Sequence, residues 1–339
     1  MDFALNDEQR LLQQAARRFF AENHPLSRAR LAMPWDDAAQ RQLWADMANT
    51  GYLSVLVPES DGGLGLGLVE AALVAEETGR QLLNLPWVSS AVLLPLWCQG
   101  AADAPRGLRE LAAQVMSGQR AWHCMAAGDR WSDHTGQCSD LAIARAGSTA
   151  VHWAAVVVNA VPGQVSLDPT LSMAAAPDGS ALAWQALSMP AAAVARAQAA
   201  QRLMWAAQAI GAGQAALELA CDWARGRVQF GRPIGSYQAL KHRLADAWMG
   251  LDNARLCLWY AAAAFDAGQA DADFACAAAL WTAIEGAQQA TRGCIQVHGG
   301  MGFTWEHDAH LYLKRVQHLA VRLGGASAAL QQLEALALA

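Results

Sequence analysis

The chain has 339 residues, 54% of them hydrophobic, and a formal net charge of −6 at pH 7, which indicates two or three domains with well-filled cores. The mildly acidic balance and the lack of a basic stripe exclude a typical nucleic-acid-binding protein. No apolar run reaches the length of a membrane span, and the acidic, polar start is unlike a signal peptide, so we expect a cytoplasmic protein.

The first third of the chain is predicted to be helical. Residues 5–22 repeat apolar side chains at helical spacing behind Asn6, a suitable N-cap. A loop is expected over 51–67, where Pro, Asp and Gly interrupt the pattern. Further helices are predicted over 36–50, over 68–80 and, as short segments, up to about residue 118.

The middle of the chain changes character, and the last part is helical again. Over 119–190, short apolar runs alternate with Gly, Asp, Ser and Pro, which is typical of short strands and turns. Four apolar-periodic segments follow and predict a four-helix bundle: about 191–225, 237–268, 272–297 and 306–335. The fold class is therefore mainly α with a small β domain, divided into a helical domain (1–118), a middle β domain (119–190) and a C-terminal bundle (191–339).

The first motif lies after the first bundle helix. It reads RVQFGRPIG from Arg227 to Gly235 and is followed by Gln238. Arg227 falls at the predicted helix C-terminus, where the helix dipole favours a cation. Taken alone, the motif also fits an ordinary helix end followed by a turn.

The second motif, QVHGGMGF, runs from Gln296 to Phe303 at the end of a later helix. Its three glycines let backbone N–H groups approach a ligand closely, and successive N–H groups can form an anion-binding nest. Taken alone, it also fits a helix C-cap followed by a flexible loop.

Together, the content, order and spacing of the two motifs resemble the C-terminal domain of the acyl-CoA dehydrogenase family. The N-terminal part resembles the same family through its first helix, the PESDGG run at 58–63 and the pair Glu76-Glu77. The resemblance covers about 1–90 and 195–320. It implies a helical N-terminal domain, a β middle domain and a C-terminal four-helix bundle, with FAD lying between subunits.

In that family the bundle of one subunit grips the ADP part of the flavin held by its neighbour. The resemblance implies that Arg227 faces the pyrophosphate, with Phe230 and Gln238 near the adenosine half. A guanidinium fork with backbone N–H groups is a suitable diphosphate clamp. The full set of positions assigned to the anchor is Arg227, Phe230, Gln238, Gln296, His298, Gly299 and Gly300.

The chain departs from the family at the catalytic base. The family removes the α-proton of an acyl-CoA with a glutamate while the β-hydrogen leaves as hydride to the flavin. An ungapped alignment places Leu323 and Gln201 at the two positions that glutamate occupies, so neither carries an acid. The family's segments for the isoalloxazine ring are also missing from the middle domain, which looks shortened.

These departures lead to the hypothesis of a shared site. The chain is similar to the short subunits of bacterial α2β2 acyl-CoA dehydrogenases that act on steroid side-chain CoA thioesters. It would supply the FAD anchor, while a second acyl-CoA dehydrogenase-like subunit supplies the base. The implied activity is α,β-dehydrogenation of an acyl-CoA, with an electron-transfer flavoprotein or a similar protein as acceptor.

Several alternatives stay open. A homo-oligomer with a relocated base is one, with Glu306 as a weak candidate beside Asp308, and a non-catalytic scaffold is another. Scattered histidines and seven cysteines without a CxxC pair indicate reduced thiols and no metal site. Small residues on the first bundle helix would either leave room for a bulky acyl group or allow close helix packing: Ala206, Ala207, Ala209, Gly211, Ala212 and Gly213.

Overall fold

The structure is a computed structural model. It describes residues 4–30, 37–101, 103–126, 131–134, 140–146, 150–156, 166–175 and 185–338. The N-terminal helices are α1 (Asp7–Asn23), α2 (Leu26–Arg30), α3 (Asp37–Asn49), α4 (Leu68–Arg80), a π-helical segment (Val88–Leu93), α5 (Leu94–Gly100) and α6 (Arg106–Met116). No helix within the described ranges has both the length and the apolar character that crossing a bilayer requires.

Local sequence signals explain where the first helices begin. The Asn6 side chain accepts from the Gln9 N–H at 2.8 Å, and the Gln9 side chain accepts from the Asn6 N–H at 3.0 Å. This capping box satisfies two donors that the first turn of a helix leaves unpaired. The predicted N-cap and the helices predicted over 5–22, 36–50 and 68–80 are confirmed.

The middle of the chain contains the expected short strands. They are β1 (Trp122–Ala126), β2 (Trp131–Asp133), β3 (Asp140–Ala146), β4 (Ala150–Val156), β5 (Met173–Ala175) and β6 (Gln185–Ser188). One sheet has the order β1-β3-β4-β6, with β1 parallel to β3 and the other pairs antiparallel. A second, two-stranded sheet pairs β2 with β5. The division into three domains at 118 and 190 stays a prediction.

The last part of the chain is helical: α7 (Ala191–Gly226), α8 (Gln238–Asp266), α9 (Ala272–His298), α10 (Ala309–Arg322) and α11 (Gly325–Ala337). The expectation of one helix over 306–335 is wrong, because two helices occupy that range. Gly324 and Gly325 have φ values of 87° and 81°. Glycine adopts this left-handed conformation without a steric penalty, so the chain turns there.

By packing, the chain forms two compact units. The first comprises Met1–Leu26, Ala72–Leu83 and Arg202–Ala339, and the second comprises Ser27–Ala71 and Asn84–Gln201. The second unit contains the four-stranded sheet. In the same unit, the Trp87 indole donates to the Tyr52 carbonyl at 2.7 Å. Both candidate motifs lie in the first unit.

Within the first unit, α4 and α7 touch through their backbones. A Cβ on Gly211 would lie 1.9 Å from the Glu76 carbonyl oxygen, and one on Gly79 would lie 2.1 Å from that of Gln208. Of the two interpretations of the small residues on α7, close helix packing is therefore the one the structure supports at Gly211.

Buried charges fix the C-terminal part of α4 in the same unit. Arg255 Nε on α8 lies 2.8 Å from a carboxylate oxygen of Glu76. At the end of α4, the buried Arg315 of α10 donates to the Leu83 carbonyl at 2.9 Å and to the Leu82 carbonyl at 3.3 Å. Arg315 thus satisfies two buried carbonyls of the turn that follows α4.

Candidate functional site

The first motif folds into a small β-hairpin directly after α7. Strands β7 (Val228–Gln229) and β8 (Arg232–Pro233) pair antiparallel across a two-residue turn. Phe230 and Gly231 form that turn with φ values of 53° and 77°. Positive φ at both central residues is the requirement of a type I′ turn, and it is unfavourable for a bulky residue. Phe230 is nevertheless 93% exposed, so packing against the described residues does not offset this strain.

Arg227 joins the end of α7 to this hairpin. Its N–H donates to the Trp223 carbonyl at 2.8 Å, and its carbonyl accepts from the Ile234 N–H at 2.8 Å. The side chain is exposed, and within the described residues its guanidinium makes no hydrogen bond or ion pair. Gln238, the first residue of α8, is exposed after the hairpin.

The second motif is a glycine turn at the end of α9. Gly299 has φ 61° and ψ −138°, a conformation that only glycine adopts readily, and a 3₁₀ turn runs from Gly299 to Phe303. A Cβ on Gly302 would lie 3.1 Å from the Ile295 carbonyl oxygen, so the turn folds tightly against the last turn of α9. Added Cβ atoms on Gly299 and Gly300 would meet nothing within 4 Å. Their backbone is therefore open to a ligand.

The assigned residues of this motif differ in where they face. Gln296 is exposed on α9, beside the open backbone of Gly299 and Gly300. His298 is buried, and its Nδ1 lies 2.8 Å from the Cys294 carbonyl oxygen on its own helix. The ring of His298 therefore faces the protein interior, a placement that the sequence motif did not indicate.

Two residues that sequence reasoning missed pack against this histidine. The Trp223 ring stacks on the His298 ring at 4.9 Å, and the His307 ring lies 4.2 Å from it. Trp223 precedes Arg227 by four residues, one helical turn, and this spacing is the signal that could have drawn attention to it. His307 follows the glycine turn, but no local pattern connects it to Trp223.

Large exposed aromatic side chains lie in and directly after the second motif. Phe303 is 69% exposed and Trp305 is 64% exposed, close in sequence to the glycine turn. The Lys314 ammonium lies 4.7 Å from the centre of the Trp305 ring, which leaves most of that ring open. Neighbouring exposed aromatic side chains of this size are typical of a binding surface.

The two positions considered for a catalytic base carry no acid. Leu323 is 2% exposed, and its carbonyl accepts from Arg202 at 3.4 Å. Gln201 is half-buried on α7. Glu306 lies exposed in the turn before α10, which begins at Ala309; the expectation that Glu306 begins this helix is wrong.

Two stretches of the middle domain, 122–125 and 150–158, lie where segments for the isoalloxazine ring were expected and do not match them. The stretch 122–125 lies in β1, where the buried His123 is hydrogen-bonded to Ser89 at 3.1 Å. The stretch 150–158 includes β4, while its last two residues lie outside the described part.

The described residues contain no cluster of side chains suited to a metal ion, and their cysteines are free thiols. No three of their His, Cys, Asp or Glu side chains form a group that could hold a metal ion. Six cysteines are free thiols, and Cys138 lies outside the described ranges. Burial raises the pKa of Cys294 to about 12 and that of Cys276 to about 11, so both stay protonated near neutral pH.

Comparison with known families matches both ends of the chain. Residues 6–103 match the model of the acyl-CoA dehydrogenase N-terminal domain, and residues 191–337 match the model of the acyl-CoA dehydrogenase C-terminal domain. The second match contains both motifs. The chain is also 31% identical to acyl-CoA dehydrogenase IpdE2 of Mycobacterium tuberculosis, over 97% of this chain and 96% of the relative.

Solved structures share the fold over nearly the whole length. The steroid ACAD Tcur3481–Tcur3483, solved as its G363A variant, is 25% identical, with a TM-score of 0.83 and 98% of each chain covered. The ChsE4–ChsE5 complex from Mycobacterium tuberculosis is 21% identical, with a TM-score of 0.82 and 98% of each chain covered.

Proposed function

The chain belongs to the acyl-CoA dehydrogenase family of oxidoreductases, and on that premise we propose that it is the FAD-anchoring subunit of a heteromeric enzyme. The reaction is the FAD-dependent α,β-dehydrogenation of an acyl-CoA thioester. In this arrangement a second acyl-CoA dehydrogenase-like chain supplies the general base and most of the pocket for the flavin ring.

One observation carries the proposal: groups of the anchor motifs are exposed to a ligand, while the two positions of the family's catalytic base carry no acid. Arg227 is exposed just before the hairpin, and Phe230 is exposed in its turn, where the backbone is strained. Backbone strain of this kind persists where it serves a function. Leu323 and Gln201, by contrast, cannot accept a proton from a substrate.

FAD fits the residues present. The Arg227 guanidinium has the fork geometry for the diphosphate, and the open backbone at Gly299 and Gly300 leaves room for N–H groups to approach it. Phe230 offers an apolar ring to the adenosine half, and Gln238 and Gln296 add polar contacts from α8 and α9. When bound, FAD supplies the hydride acceptor of the reaction.

The work of this chain in the reaction is binding and orientation. A positioned cofactor lowers the entropic cost of bringing reacting atoms together. Proton removal from the acyl-CoA requires a carboxylate within hydrogen-bond reach of the α-carbon, and neither family position of this chain provides one. The base must then come from the partner chain.

The names of the structural relatives support a proposal for the substrate class and the partners. A steroid ACAD and a two-component complex are among the chains with the same fold, so we assign a polycyclic, steroid-derived acyl-CoA as substrate. The electrons of the reduced flavin would pass to an electron-transfer flavoprotein or a similar acceptor.

The test is co-expression with a second acyl-CoA dehydrogenase-like chain from the same organism. We expect a complex with one FAD per pair of chains, and no flavin on this chain alone. Full flavin occupancy and turnover by the isolated chain would contradict the proposal. A colourless complex of normal assembly would instead support a scaffold.

A self-sufficient enzyme with Glu306 as its base is tested separately. The exposure of Glu306 in the turn before α10 disfavours it, because a base needs a desolvated position that tunes its proton affinity. Glu306→Gln is expected to leave flavin content and turnover of the complex unchanged. Loss of turnover with retained FAD would point to Glu306 instead.

A further inference from the structure

Three aromatic rings meet where the two anchor motifs begin. Trp223 on the last turns of α7 stacks on His298 at the end of α9, with ring centres 4.9 Å apart and an interplanar angle of 29°. His307, in the turn before α10, lies 4.2 Å from His298 and contacts Trp223 edge-on at 5.5 Å. We call these residues the three-ring cluster; it joins the end of α7 to two segments that are distant from it in sequence.

His298 is held rigidly at the centre of this cluster. Its Nδ1 lies 2.8 Å from the Cys294 carbonyl oxygen. Because a carbonyl oxygen can only accept a hydrogen bond, Nδ1 carries the proton and Nε2 of the neutral ring is unprotonated. Nε2 is buried and has no hydrogen-bond partner among the described residues. Burial lowers the pKa of His298, which keeps the ring neutral at neutral pH.

Each residue of the cluster has one short link to a neighbouring residue: two of these links lead to the anchor motifs, and the third leads to the start of α10. The carbonyl of Trp223 accepts the Arg227 N–H at 2.8 Å. His298 directly precedes Gly299, the first residue of the glycine turn. His307 Nδ1 accepts from the Ala309 N–H at 3.2 Å, at the start of α10. The contact between Trp223 and His298 thus sets the spacing between the guanidinium of Arg227 and the glycine turn.

We propose that His298 and Trp223 are positioning residues, which hold Arg227 and the glycine turn at the spacing that a diphosphate needs, without touching the cofactor through their rings. The inference rests on the proposed FAD-anchoring function. Charge-assisted hydrogen bonds to a diphosphate depend on geometry, so a shift of one motif against the other weakens both. Packing alone needs only an apolar ring; the additional bond to Cys294 fixes the orientation of His298.

The test measures FAD affinity in the co-purified complex after FAD has been removed, by titration with FAD and flavin fluorescence. His298→Ala and Trp223→Ala should each raise the Kd about tenfold, which corresponds to about 1.4 kcal/mol and is the upper end of what a ring pair contributes. His298→Phe, which keeps the stack, should stay within about threefold of the wild type by the same scale. The double alanine variant should be little worse than either single variant, because both remove one shared contact.

The matched control is His310→Ala. His310 is also buried in this unit and contacts Trp305 at 4.9 Å, but it belongs to neither anchor motif. The His310→Ala variant should leave the Kd for FAD unchanged. Melting temperatures of the FAD-free complexes are recorded for every variant, so that a loss of stability is told apart from a loss of FAD affinity. If His298→Ala prevents assembly, His298→Gln, which keeps a side-chain donor but loses the ring, takes its place with the same expected Kd.

The outcomes separate the two proposals. A wild-type complex that takes up no FAD overturns the anchoring function and this inference with it. Normal FAD uptake by the wild type, with an equal Kd in His298→Ala or an equal loss in His310→Ala, overturns the positioning role alone.

Discussion

Arg227 differs from its neighbours in how its charge is compensated. Arg225 pairs with Asp222 at 2.6 Å, and the guanidinium of Arg232 lies 4.1 Å from the centre of the Tyr237 ring. The Arg227 guanidinium makes no such contact with any residue in the described ranges. An exposed guanidinium that is positioned by its backbone but not neutralised by its own chain is suited to an external anion.

Replacing Arg227 should therefore weaken FAD binding without affecting the fold. In the co-purified complex, Arg227→Ala should raise the Kd for FAD about 10- to 100-fold, the range for a hydrogen bond to a charged group. The Kd of Arg227→Lys should lie between those of the wild type and Arg227→Ala, because lysine keeps the charge and loses the guanidinium fork. Arg225→Ala is the matched control, and its ion pair is exposed and worth little. Equal FAD affinity in Arg227→Ala and Arg225→Ala would contradict the clamp.

Glu77 carries the most perturbed carboxyl in the first unit. Burial raises its pKa to about 7, against the attraction of Arg80, Arg17 and Arg255 and with the repulsion of Glu76. A raised folded-state pKa stabilises the fold below the ordinary glutamate pKa, and this contribution is lost as the pH rises through about 7. The linked free energy is of the order of 3 kcal/mol at most.

Glu77→Gln should remove this pH dependence. At pH 8 we expect the variant to melt a few degrees above the wild type, since an amide needs no proton to stay buried. Near pH 5 the advantage should disappear, because wild-type Glu77 is protonated there. The exposed Glu110, which pairs with Arg106 at 2.7 Å, provides the control Glu110→Gln. Parallel melting curves of wild type and Glu77→Gln across this range would refute the assignment.

At the scale of elements, the contact between α4 and α7 depends on the absence of side chains. A Cβ on Gly211 would lie 1.9 Å from the Glu76 carbonyl, so Gly211→Ala forces the two helices apart. We expect a loss of about 3 kcal/mol or more in unfolding free energy, measured by thermal or urea denaturation. Gly293→Ala on α9, where a Cβ meets nothing within 4 Å, should instead gain up to about 1 kcal/mol. Equal effects of the two substitutions would rule out the backbone contact.

Local chemistry made the element bounds predictable. The capping box at Asn6, the apolar period of α4 and the loop composition between them all act within a few residues, and the bounds follow. The break between α10 and α11 had a local signal as well, since Gly324-Gly325 follows a basic residue in the last turn. The apolar period continues across the break, which is why one helix was expected.

The interior of the candidate site was predictable only in part. The sequence indicated Arg227 and the glycine turn because both motifs are contiguous. It did not indicate that His298 is buried, because Trp223 and His307 meet it only through tertiary packing. Ring stacking across elements leaves no period or spacing in the sequence that a single chain reveals.

At the scale of the whole molecule, the proposed function divides the work between chains: this chain would anchor the flavin, and a second chain would supply the catalytic base. Both motifs lie in one compact unit and present exposed aromatic side chains, at Phe230, Phe303 and Trp305. Desolvating such side chains stabilises an assembly, and a shared cofactor binds only where both chains are present. Assembly and flavin retention should therefore be thermodynamically coupled.

Hydrogen exchange measures where the flavin contacts this chain in the assembled complex. In the complex reloaded with FAD, amides of the hairpin (228–233) and of the glycine turn (299–303) should exchange more slowly than in the FAD-free complex, because the diphosphate engages their backbone. Peptides from α6 provide the internal reference, with unchanged exchange. Adding AMP in place of FAD is the ligand control and should protect these segments less, since it offers a single phosphate. Uniform slowing across all peptides would mean general stabilisation by the ligand, and unchanged exchange in both segments would place the flavin away from this anchor.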